Sequence, residues 1–219
     1  MSIKENLLNI KASLPDDVTL VAVSKTKSNE EIMEAYDSGQ RIFGVNKIQE
    51  MTSKWLALPK DITWHMIGHV QSNKVKYMAP YVSLIHGVDS FKLLKEINKQ
   101  AQKNDRVISC LLQMHIAEEA TKFGFNREEL ETMIQSDSFN SLHNIKIFGL
   151  MGMATFTEDK DQVRQEFRSL KTNYVHFRKT LPHMNIVSMG MSGDYNIAIE
   201  EGSTMVRIGS SIFGMRNYP

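Results

Sequence analysis

A chain of 219 residues with 42% hydrophobic and 23% charged side chains can bury one sizeable core, and it has neither the low hydrophobicity of a disordered protein nor the bias of a fibrous one. Its formal net charge of +1 excludes the basic excess that nucleic-acid binding needs. The single cysteine, Cys110, lies in the apolar run Val107 to Leu112, so no intrachain disulfide forms and a reducing compartment is expected.

The N-terminus, Met1-Ser-Ile-Lys-Glu5, lacks the apolar stretch of a signal peptide, and no run reaches the ~20 residues of a membrane span. A cytoplasmic protein without a membrane partner is the expectation. Ile3, Leu7 and Ile10 recur at helical spacing before Pro15, and Val18 to Ser24 is an apolar strand. Ser28 and Glu31 form a capping box for a helix over about 29–38, which Gly39 ends. Arg41 to Gly44 is a short strand, and Asn46 opens a helix with Ile48, Met51, Trp55 and Leu58 on one face until Pro59. The strand Thr63 to Ile67 leads into the glycine-led loop Gly68 to Lys74, then a short helix before Pro80. Val82 to Val88 is a strand, Asp89-Ser90 caps a helix carrying Phe91, Leu94, Ile97 and Ala101, and Val107 to Gln113 is again wholly apolar. Asn126 and Glu129 make a capping box before Leu130, and Ile145 to Met151 is the next strand. Val163, Phe167, Leu170, Tyr174, Phe177 and Leu181 trace one long amphipathic helix. Asn185 to Met189 is a strand, Gly193 to Glu201 a short helix, and Met205 to Ile208 the last strand.

Eight strands alternating with helices imply a parallel sheet, and that number favours a closed (β/α)8 TIM barrel in a single domain, 1–219, over an open doubly wound sheet. Chemistry in such a barrel collects at the C-terminal ends of the strands. Lys25 ends the first strand, Asn46 follows the second, His65 and His69 bracket the third, and His86 lies on the fourth. Ser188 ends the seventh, and Arg207 lies on the eighth before Gly209 and Ser210. A strand-end lysine ordinarily snorkels to water, whereas a desolvated one can attack a carbonyl. His65 and His69 make a poor metal site, because no cysteine or paired carboxylate accompanies them. Ser192 before Gly193-Asp194 is either a helix N-cap or a phosphate contact, and Gly209-Ser210-Ser211 suits a phosphate after the last strand. A lysine, a guanidinium and a phosphate cradle in one mouth suit a phosphorylated aldehyde held as an imine.

The stretches Val23-Ser-Lys25-Thr-Lys27, Phe43-Gly-Val-Asn46, Trp64-His-Met-Ile-Gly-His69-Val-Gln-Ser-Asn-Lys74, Ser188-Met-Gly-Met-Ser192-Gly-Asp194 and Val206-Arg-Ile-Gly-Ser210-Ser-Ile-Phe-Gly214 resemble the YggS/PROSC family of pyridoxal phosphate homeostasis proteins, in order over nearly the whole chain. The resemblance implies a barrel like the N-terminal domain of alanine racemase, with pyridoxal 5'-phosphate (PLP) as a Schiff base on Lys25. It also implies Ser188, Gly209 and Ser210 at the phosphate with Ser192 nearby, Arg207 at the pyridine nitrogen, and Asn46 and His65 flanking the ring. Arginine does not readily release its proton, so it leaves that nitrogen unprotonated and the ring a poor electron sink. The family's usual Phe-Gly-Glu-Asn has Val45 in place of glutamate here, which raises the question of altered cofactor affinity, and Ser210 stands where threonine is common.

Two readings of function share these residues. A carrier would hold PLP and pass it to PLP-dependent apo-enzymes without turnover; a PLP-dependent amino-acid racemase would need a second acid/base, for which Tyr195 is the nearest residue in the sequence. The resemblance favours the non-catalytic carrier, since the racemases carry a further β domain and take a tyrosine from the partner subunit. A barrel binding some other phosphorylated metabolite would leave Lys25 unexplained. No helix shows a spare apolar face, so a monomer is expected.

Overall fold

Short strands that are apolar on both faces must be covered on both, and a closed barrel inside a ring of helices does this. The computed structural model describes residues 2–118 and 123–214. Strands β1 (Thr19–Val23), β2 (Ile42–Val45), β3 (Thr63–Met66), β4 (Leu84–Val88), β5 (Ile108–Gln113), β6 (Ile145–Met151), β7 (Ile186–Ser188) and β8 (Met205–Ile208) pair in sequence order, all parallel, and β8 closes on β1. The closing register sets Val21 opposite Arg207 and Ala22 opposite Ile208. The first and last strands of the chain therefore share one edge of the mouth.

Around the barrel run α1 (Ile3–Ser13), α2 (Asn29–Asp37), α3 (Ile48–Ala57), α4 (Val75–Met78), α5 (Phe91–Lys103), α6 (Arg127–Gln135), α7 (Asp137–Asn140), α8 (Lys160–Phe177), α9 (Tyr195–Glu200) and α10 (Ser210–Phe213). Both expected capping boxes are present, Ser28 with Glu31 and Asn126 with Glu129, and Ser2 with Glu5 adds a third. One strand face joins the helices in a large outer core containing Phe43, Trp64, Ile85, Leu112 and Phe167. The other face fills the barrel with Val21, Leu84, Leu111, Met151 and Met205.

Two local expectations shift and one short helix is added, each for a physical reason. The helix expected from Asn46 starts at Ile48, with Lys47 in extended conformation as its N-cap and no side-chain cap, so Asn46 stays in the mouth. Ser136 turns extended after α6, and its hydroxyl accepts the Phe139 amide, which starts the separate turn of α7. Leu181 lies beyond α8 yet still packs against the outer core.

Phe167 on α8 is 0% exposed. Phe167→Ala is expected to remove about 3–5 kcal/mol of stability through lost burial and the cavity left behind, measured as a lower urea midpoint.

Candidate functional site at the barrel mouth

At the C-terminal mouth, a cavity of about 420 Å³ is lined by Lys25, Lys27, Asn46, Ile67, Met153, Phe156, Ser192, Asp194, Arg207, Gly209 and Ser210, among others. Lys25 reaches it from a tight turn rather than from the strand itself. The Lys27 amide donates to the Ser24 carbonyl at 3.1 Å, and Thr26 has φ of +65°. A positive φ two residues after the turn begins is the geometry for which glycine is normally used, so the β-branched threonine is strained there.

Arg207 forms the floor. It is buried, and its Nη1 donates to the Ser188 carbonyl at 2.9 Å and to Ser188 Oγ at 2.7 Å, while Nη2 donates to the Gly152 carbonyl at 3.1 Å. Burial pushes its pKa down to about 10, with the Asp194 charge opposing that shift. Among the described residues no carboxylate lies within ion-pair distance of it. Five N–H groups are available to a guanidinium and three hydrogen bonds are made, so a buried side chain that lines the cavity keeps donors to spare.

Beneath Arg207 a hydrogen-bonded chain crosses the barrel interior. Ser188 Oγ lies 3.0 Å from His86 Nδ1, and His86 Nε2 lies 3.0 Å from His65 Nδ1. The guanidinium can only donate to Ser188, so the Ser188 hydroxyl is placed to donate to His86, which then donates to His65 through Nε2. Both imidazoles are buried and held neutral: desolvation lowers His65 to about 3, and desolvation, then His65 and Arg207, push His86 well below its ordinary value. A charge on either ring would be cut off from water, and one on His86 would also face the Arg207 cation.

The wall adjoining the lysine turn follows β7 and β8. The Gly209 amide donates to Ser192 Oγ at 3.2 Å, which ties the two loops together. Gly190, at φ of +97°, turns the chain so closely on α9 that an added Cβ would meet Ala198 Cβ at 2.7 Å. Ser192 does not cap α9: Asp194 is the N-cap residue, and its carboxylate accepts the Met191 amide. The loop after β6 carries Met153 and Phe156 to the rim, and buried Glu166 anchors it by accepting the Thr155 amide and hydroxyl, each at 2.6 Å. Across the mouth, Gly68 is forced by contact, because a Cβ there would fall 2.5 Å from the Asn46 carbonyl, and one on Gly87 would fall 2.6 Å from that of Gly68.

A family model described as alanine racemase, N-terminal domain, matches residues 1–217. The chain is 40% identical to the pyridoxal phosphate homeostasis protein of Aquifex aeolicus over 91% of this chain and 87% of that one. It is 36% identical to the Escherichia coli K12 protein of the same name, over 93% and 88%. The chain belongs to the pyridoxal phosphate homeostasis protein family. PipY of Synechococcus elongatus, solved with PLP bound, superposes with a TM-score of 0.89 at 32% identity, covering 97% of this chain and 100% of PipY. An alanine racemase from E. faecalis shares the fold at 17% identity, with a TM-score of 0.72 over 98% of this chain and 58% of the racemase.

Of the residues that sequence assigned to the site of this homeostasis-family barrel, Lys25, Asn46, Ser192, Arg207, Gly209 and Ser210 line one cavity. His65 and Ser188 lie outside that lining: Ser188 is buried under Arg207, and His65 borders a second opening at the N-terminal end of the barrel with Thr19, Thr63 and Ser109. Val45 is fully buried in the outer core and does not line the cavity. Sequence reading missed Lys27, whose Nζ donates to the Phe213 carbonyl at 2.9 Å and to Glu31 at 3.0 Å beside the cavity. It also missed the role of His86, which only the cross-barrel register reveals.

His65 binds a proton near pH 6.5 when unfolded and only near 3 when folded. Between those values the unfolded chain holds the extra proton, so stability present above pH 6.5 falls with acidification, by up to about 1.4 kcal/mol per pH unit. Unfolding free energies from urea titrations at pH 7 and pH 4 are expected to fall less for His65→Gln than for wild type. Equal losses would mean that His65 does not titrate this way.

Proposed function

We propose that this protein binds pyridoxal 5'-phosphate at the C-terminal mouth, holds it covalently but reversibly on Lys25, and serves PLP homeostasis as a carrier rather than as a catalyst. The observation that carries this reading is the buried Arg207 guanidinium, which faces the cavity that Lys25 lines and lacks a carboxylate within ion-pair distance among the described residues. When bound, PLP supplies an aldehyde that condenses with a lysine amine, releasing water, and a pyridine nitrogen that can accept a hydrogen bond. Arg207 donates to that nitrogen while keeping its own proton, which disfavours carbanion chemistry. Gly209, Ser210 and Ser192 take the phosphate side, with Lys27 as a nearby cation, and Asn46 lies on the ring side. Ser188 and His65 support Arg207 from beneath.

The carrier reading also rests on family membership, since the Aquifex aeolicus and Escherichia coli relatives bear the homeostasis name. The racemase reading needs a second proton-transfer group on the opposite face of the ring. Besides Lys25 and Arg207, the titratable side chains among the described residues lining the cavity are Lys27, which donates to Glu31 and the Phe213 carbonyl, and Asp194, which accepts the Met191 amide; Tyr195 lies outside that lining. PLP-dependent apo-enzymes are the inferred recipients, and a single-domain monomer the inferred state, because exposed apolar side chains such as Leu8, Leu56, Tyr77 and Val175 are dispersed along the chain. No helix is long and apolar enough to cross a membrane among the described residues, and Cys110 is a buried free thiol, which suits a cytoplasmic setting.

Added PLP is expected to give an absorption band near ~420 nm with the wild-type protein and none with Lys25→Ala. Borohydride should fix the cofactor to Lys25, as read by peptide mass. No band with either protein would refute the covalent reading, and turnover of an amino acid by the loaded protein would replace the carrier with the racemase.

A further inference from the structure

The turn that presents Lys25 is gripped from outside the cavity. Thr26 donates its amide to Glu50 Oε1 at 2.7 Å, and the same oxygen accepts from Lys54 Nζ at 2.6 Å. Lys54 Nζ also donates to the Ser24 carbonyl at 2.7 Å. One ion pair on α3 thus holds the chain on both sides of Lys25, at the carbonyl before it and the amide after it. The Lys54 side chain is 7% exposed and that of Glu50 21%.

This pair is a poor device for general stability, because desolvating a lysine offsets most of what its partner returns. Desolvation is the main influence on Lys54, pushing its pKa down. The contacts it makes are local and specific. A β-branched residue at φ of +65° has to be held, and the Glu50 carboxylate holds it. The other side of the turn is tied down independently by Lys27, through Glu31 and the Phe213 carbonyl.

We propose that Glu50 and Lys54 are positioning residues for Lys25: they fix the backbone on both sides of it, so that its amine meets the aldehyde carbon of a phosphorylated aromatic aldehyde in one orientation. This rests on the assignment of Lys25 as the lysine that holds the cofactor. Neither residue lines the cavity, so neither is placed to contact the ring or phosphate.

The test compares two probes on wild type, Glu50→Gln, Lys54→Met, Lys54→Arg and Lys25→Ala. One probe is PLP; the other is 4'-deoxypyridoxine 5'-phosphate, which keeps ring and phosphate but has no aldehyde. Glu50→Gln and Lys54→Met are expected to weaken PLP binding about tenfold or more and to slow its reducible attachment, with binding of the deoxy probe changed less than about twofold. Lys54→Arg, which keeps the charge and the donors, should recover part of the PLP affinity. If Lys54→Met does not fold, Glu50→Gln carries the comparison, since it keeps the side-chain volume and removes only the charge. Equal weakening of both probes would reduce the pair to a structural role, and no change in either would remove the proposal. Failure of the Lys25 assignment reads differently: wild type and Lys25→Ala would then bind PLP alike, with no reducible adduct.

Discussion

A cation buried in a barrel must be met by oxygen atoms, and here those oxygens are neutral. Arg207 is satisfied by two carbonyls and one hydroxyl, from β7 and from the residue just after β6. Its position therefore depends on the strands staying in register, and the shape of the mouth depends on its position. A carboxylate in the same place would have closed the charge within the protein; with neutral oxygens as hydrogen-bond partners, the guanidinium feels only the Asp194 charge, which lines the same cavity. The histidine chain underneath extends this arrangement: while Ser188 accepts from Arg207, its hydroxyl hydrogen remains for His86.

Barrel closure turns a sequence separation into a neighbourhood. Val21 and Arg207 pair across the seam between the first and last strands, so the lysine turn after β1 and the Gly209-Ser210 segment after β8 share one wall. The loop after β7 joins them through the Ser192 hydroxyl and the Gly209 amide. Three segments distant in sequence thus supply the amine, the donor floor and the hydroxyl-bearing side, while α3 stiffens the lysine turn from behind.

The strands and helices were legible because each is written locally: unbroken apolar runs for the buried strands, and serine or asparagine followed by glutamate for the caps. Closure was legible only as a count of strand-helix units. Most of the mouth followed from that count, because residues after the strands converge there. His65 and Ser188 were harder to place, since period-two alternation tells which face a residue takes but not its depth along the barrel axis. Lys54 was opaque for another reason. A lysine on a surface helix ordinarily reads as solvated, and only the distance to Ser24 shows that this one is turned inward.

Where Asn46, Gly68 and Gly87 meet, backbone lies directly on backbone, so there is no room behind the Asn46 and Ile67 side chains for a larger residue at either glycine. Any residue larger than glycine at Gly68 or Gly87 would have to move a neighbouring loop. The wall formed by Met153, Phe156, Met191 and Gly193 is made of side chains and an open glycine, with nothing within 4 Å of an added Cβ at Gly193. The mouth is thus mechanically lopsided, with one rim rigid and the other adjustable. Variation in what can enter, whether by natural drift or by engineering, is channelled to the loops after β6 and β7, and the lysine-side geometry is left alone.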